Sequence, residues 1–94
     1  MDKSIKHRSG HRTKIIQSQI KGLQKMIEAE EYCMDIITQS LAIQKSLASL
    51  NKLVLENHIK THIKDALASG DEDLQNNSIK ELISLYELNN IRGK

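Results

Sequence analysis

The chain has 94 residues, two tyrosines, no proline, phenylalanine or tryptophan, and a formal net charge of +2. That length holds one domain, and a core of this size without large aromatic side chains is thin, so self-association is expected from the outset. A single cysteine, Cys33, excludes an intrachain disulfide and suits a reducing cytoplasm, while no apolar run reaches the ~18 residues of a membrane span and the amino terminus lacks the apolar stretch of a secretory signal.

Residues 1–12 read as a basic arm. Lys3, Lys6, Arg8, Arg12 and Lys14 stand against Asp2 in the first fourteen residues, a net of +4, which leaves −2 for the remainder. Such asymmetry suits a polyanion such as DNA, and equally a solvated tail. The helical domain is expected over 13–88, in three segments. In the first, from about Thr13 to Ala29, Ile16, Ile20, Leu23 and Ile27 recur at helical spacing. Gly22 inside it allows a close helix contact rather than forcing a break.

The second segment, from about Glu30 to Ala68, carries Ile36, Ile43, Leu47, Leu50, Val54 and Leu55 on its stripe and contains no glycine or proline. As one helix it would span about 60 Å, too long for a chain of this size to cover by itself. Gly70 reads as the residue that ends it. Asp71, Glu72 and Asp73 then favour a new helix start. The third segment runs from about Asp73 to Leu88 on a stripe of Ile79, Leu82, Ile83 and Tyr86, and 89–94 reads as a flexible tail. No strand alternation or internal repeat is present, so the fold class is all-α.

His58 and His62 lie four apart, which on a helix places both imidazoles within reach of one ion. Cys33 precedes His58 by about 37 Å along a continuous helix, so one chain cannot join the two. An antiparallel pair of chains can, forming a Cys-His-His site twice across a two-fold axis. Thiolate and imidazole donors suit Cu(I), Ni(II), Co(II) and Zn(II). Tyr32 and Glu81 are candidates to orient a ligand imidazole. The competing readings are a buried apolar cysteine and a solvated histidine surface. An enzyme is not expected, because no nucleophile–base pair, phosphate loop or paired acids occur at a recognisable spacing.

The run from Arg8 to Ala68 resembles the CsoR/RcnR family of metal-sensing bacterial repressors, through G-L-x-x-M-I-E, Y-C-x-D-I, Q-S-x-A-I-Q and E-N-H-I-K-x-H, with a weaker echo in IKELISLYE. The resemblance implies a three-helix protomer with a long central helix, an antiparallel dimer and a dimer-of-dimers tetramer. It implies a cytoplasmic repressor that binds operator double-stranded DNA in the apo state and releases it with metal. The family's ligand positions fall on Cys33, His58 and His62, and its orienting pair on Tyr32 and Glu81.

A histidine at position 62, where copper sensors carry cysteine, keeps Ni(II) and Co(II) in play, with His7 and His11 as extra ligands from the arm. The Tyr32/Glu81 pair puts Cu(I) first. Persulfide sensing would need a second cysteine, and formaldehyde sensing a proline where Asp2 stands. The matching DNA contacts are Arg12 and Lys52, with Lys14, Lys21, Arg8 and Lys6 adding phosphate contacts. A helical interaction module without metal sensing is the alternative outside the family.

Overall fold

In a computed structural model, the backbone is described for residues 1–92 and the side chains for 1–88; every element among them is helical. The amino-terminal helix α1 spans Lys3–Glu28 and α2 spans Cys33–His58. One π-helical turn, Ile59–Ile63, follows directly, then the short α3, Lys64–Ala68. The last helix, α4, spans Glu72–Arg92. The chain divides into two compact units, Met1–Asn57 and His58–Lys94.

The expected arm over 1–12 is helical from Lys3 onward, ten residues before the expected start at Thr13. Asp2 is the reason: its Oδ1 accepts from the Ile5 backbone N–H at 2.8 Å and satisfies an otherwise orphaned donor. Gly10 sits within the helix and does not interrupt it. At Gly22 the approach within one chain is ordinary rather than close. The Gln39 side chain lies 3.7 Å from where a Cβ would stand, and its amide donates to the Gln19 carbonyl at 3.1 Å.

Between α1 and α2 the chain turns through Ala29, Glu30 and Glu31. Glu30 takes a left-handed φ of 52°, and the Glu31 N–H donates to the Met26 carbonyl at 3.0 Å. This six-to-one bond marks a Schellman cap, here with glutamate where glycine is usual. It moves the start of the second helix from the expected Glu30 to Cys33.

In the second unit, Gly70 at φ 76° ends α3 as its sequence position suggests. Asp71 Oδ1 then accepts from the N–H groups of Asp73 and Leu74 and starts α4. That helix continues to Arg92, past the expected end at Leu88 and through most of the expected tail. Gly93 and Lys94 lie outside the described residues.

Among the described residues the buried apolar ones are few: Ile16, Ile43 and Leu53 in the first unit and Ile63 in the second. The α4 residues Ile79, Ile83 and Tyr86 are exposed, as are Met34, Ile37, Leu41 and Leu47 of α2. Burial of apolar area is the main driving force of folding, so these uncovered stripes are what a single chain leaves unsatisfied.

Candidate metal centre and basic surface

The second unit assembles its site from two elements. His58 closes α2 and His62 lies inside the π turn. Such turns insert one extra residue per turn and recur at functional sites. The two imidazole centroids are 5.1 Å apart and tilted by 41°. Two rings bound to one tetrahedral ion at metal–nitrogen distances near 2.0 Å have centroids roughly 5 Å apart, so the separation of this pair is compatible with a shared ion.

Glu81 of α4 completes the arrangement. The His58 Nε2–H donates to Glu81 Oε1 across 23 residues of chain. The His58 side chain is 32% exposed and that of Glu81 50%. With Nε2 engaged by the carboxylate, Nδ1 is the nitrogen left free toward an ion. Glu81 and His58, singled out together from the sequence, are thus in contact.

Cys33 and Tyr32 belong to the first unit. Cys33 opens α2 with its thiol free and exposed. Tyr32 stands just before the helix, where its carbonyl accepts from the Asp35 and Ile36 N–H groups, and its side chain is 71% exposed. Among the described residues, no three histidine, cysteine or acidic side chains converge as a metal-holding group. The donor chemistry fits a soft or borderline ion at His58 and His62, with at least one further donor to be supplied.

The candidate DNA contacts separate into distinct surfaces. Arg12 is half-buried and donates through its guanidinium to Ser49 Oγ of α2. It lines a cleft with His11 and Ile15 of α1 and Lys45, Ser46 and Ser49 of α2. Arg8 is exposed one turn earlier on α1. Lys14 and Lys21 lie elsewhere on α1, exposed and seven residues apart on one face. Lys52 is 4.0 Å from Glu56, an exposed pair that offsets part of its charge.

His7 and His11 also face one groove on α1, with Lys3, Lys6, Gly10 and Lys14. From the sequence Ser49 reads as a small residue that allows close helix packing, and Lys45 is not singled out. Their i,i+4 spacing on α2 was the available signal, but the approach of Ser49 to Arg12 spans 37 residues of chain and has no local signature.

Comparison with known proteins gives the context. Residues 6–87 match the model of a family described as metal-sensitive transcriptional repressor. The copper-sensing transcriptional repressor CsoR of Bacillus subtilis is 32% identical over 92 residues, which covers 90% of this chain and 88% of that protein. CsoR of Mycobacterium tuberculosis H37Rv is 33% identical over 73 residues, covering 78% of this chain but 59% of that longer protein. The crystal structure of the copper-sensing repressor CsoR with Cu(I) from Geobacillus thermodenitrificans superposes with a TM-score of 0.83 at 31% identity, covering 94% of this chain and 88% of that one.

Proposed function

Because the chain belongs to the metal-sensitive transcriptional repressor family, we propose that it is a copper-responsive repressor. In this reading it holds operator DNA in the apo state and releases it when Cu(I) binds Cys33, His58 and His62. It is a regulator and not an enzyme, as its family is. The observation that carries the metal reading is the imidazole pair, 5.1 Å apart, with His58 held by Glu81. Cu(I) is a soft ion that takes thiolate and imidazole donors. Tyr32 is assigned to the edge of the same site.

The third donor is the Cys33 of a second copy. Two-fold antiparallel pairing makes the site twice, and it covers the exposed stripes of α2 and α4. A dimer of such dimers presents several basic surfaces to cytoplasmic DNA. Tying two chains together through one ion favours a conformer whose basic surfaces no longer match the duplex. Coupling of this kind amounts to ~1–3 kcal/mol and is reciprocal, so DNA weakens Cu(I) binding by the same factor.

The test is fluorescence anisotropy of a duplex selected from a randomised pool by the apo protein, under anaerobic reducing conditions. Cu(I), Ni(II), Co(II) and Zn(II) are added in turn. Release by Cu(I), and its loss in Cys33→Ala, is the expected result. Release by Ni(II) or Co(II) instead would transfer the assignment to those ions, with His7 and His11 as added donors. Tight binding indifferent to all four metals would end the metal-sensing reading.

A further inference from the structure

From Lys3 to Ile27 the chain has no acidic residue, and all of this stretch lies in α1. Lys3, His7, Lys14, Lys21 and Lys25 follow one another at steps of four, seven, seven and four. On a helix those steps keep all five within about 40° around the axis and about 150° from the Ile16, Ile20, Leu23 and Ile27 stripe. All five are exposed, and among the described residues none is in an ion pair.

Lys21 and Lys25 also form a like-charge i,i+4 pair, an arrangement that opposes the helix in the free protein. A polyanion laid along this face removes that repulsion. From Lys3 to Lys25 the ridge is about 33 Å long, a length over which duplex DNA carries about twenty phosphate charges. The helix has no Phe, Tyr or Trp, the larger rings on which single strands are held by stacking.

We propose that this ridge of α1, Lys3–His7–Lys14–Lys21–Lys25, is a sequence-independent track for the phosphate backbone of duplex DNA, separate from the Arg12 cleft. It rests on the DNA-binding reading above and adds His7, Lys3 and Lys25 to the contacting residues. Arg12 lies about 160° around α1 from this ridge, so its cleft, closed on one side by α2, is a separate contact and not part of the same track. Phosphate contacts fix position and affinity, and each shows itself as counterion release.

The experiment measures anisotropy of the full-length apo protein with a labelled 30-base-pair random-sequence duplex and a 30-nucleotide single strand, between 50 and 200 mM salt. Lys14→Gln/Lys21→Gln/Lys25→Gln should lower the slope of log K against log salt by about 2.7 for each protomer engaged, and weaken duplex binding about tenfold or more at 0.1 M salt. Lys60→Gln/Lys64→Gln/Lys80→Gln removes the same charge from the other unit and should leave the slope unchanged.

Equal loss in both triples would show bulk charge at work and overturn the ridge. An unchanged slope in the first triple, or single-strand binding as tight as duplex binding, would overturn it too. Circular dichroism checks the fold, and if the triple unfolds, Lys21→Gln alone should lower the slope by about 0.9 per protomer. The variant's Cu(I) release from the selected operator separates the two ideas: release retained with an unchanged slope sinks only the ridge. A wild-type protein that binds no duplex sinks both.

Discussion

His58 donates through Nε2–H to Glu81, and in the proposed site this leaves Nδ1 to meet the ion. The hydrogen bond links the end of α2 to the middle of α4, and in the proposed site Glu81 orients the imidazole without itself binding the ion. Partners of this kind typically contribute 10–100-fold to metal affinity. Glu81→Gln keeps the size of the side chain but loses the charge. We expect it to weaken Cu(I) binding by roughly tenfold or more, measured by competition with a chromophoric Cu(I) chelator. The helical content should be unchanged, because Glu81 is half exposed. Unaltered affinity would show that Glu81 has no part in the site.

Glu30 holds a left-handed conformation at φ 52° in the cap between α1 and α2. A residue with a Cβ pays a steric cost of roughly 1 kcal/mol there, and glutamate adds a negative charge near the negative end of the α1 dipole. Glu30→Gly should therefore stabilise the protein by about 1 kcal/mol, less a part for the freer unfolded chain. For a domain of this size the melting temperature should rise by a few degrees, to roughly 4–8 °C at most, compared at equal protein concentration because assembly shifts it. A fall in melting temperature would mean that the glutamate makes compensating contacts.

What the sequence made legible is what repeats at short range. The stripe of Ile16, Ile20, Leu23 and Ile27, the stop at Gly70 and the acidic start of α4 are each local, and the helices follow them. The closeness of His58 and His62 was readable because four residues on an α-helix return to nearly the same face. The start of α1 at Lys3 was obscured by a polar, charged run whose helix depends on one cap, Asp2. The π turn at Ile59–Ile63 has no compositional mark, since one extra residue per turn leaves the residue types unchanged. Contacts distant in sequence, such as Arg12 with Ser49, are invisible to periodicity altogether.

The two glycines inside α1 are the next test. Nothing lies within 4 Å of a Cβ added at Gly10, and at Gly22 the nearest atom is the Gln39 side-chain nitrogen at 3.7 Å, an ordinary contact. Both residues are helical, so alanine should gain its full helix propensity at either place. Each of Gly10→Ala and Gly22→Ala should add up to about 1 kcal/mol in chemical denaturation at fixed protein concentration. Gly22→Ala destabilising while Gly10→Ala stabilises would reveal a closer neighbour at Gly22 than the single chain provides, as a second copy would.

Arg12 and Ser49 make the last prediction. The guanidinium is held by the Ser49 hydroxyl at the edge of a cleft that also contains His11 and Lys45. Removing the hydroxyl frees the arginine but keeps its charge, whereas removing the arginine deletes a phosphate partner. Ser49→Ala should weaken operator binding several-fold, in line with the ~1 kcal/mol of a lost hydrogen bond, and leave the salt dependence as it was. Arg12→Ala should weaken it further and reduce the slope of log K against log salt by about 0.9 per protomer engaged. Anisotropy at four salt concentrations distinguishes the two. If Ser49→Ala lowered the slope as much as Arg12→Ala, the hydroxyl would be holding the charge on the DNA rather than aiming it. If neither variant changed affinity, the cleft would lie off the DNA-binding surface and the α1 ridge would have to account for binding alone.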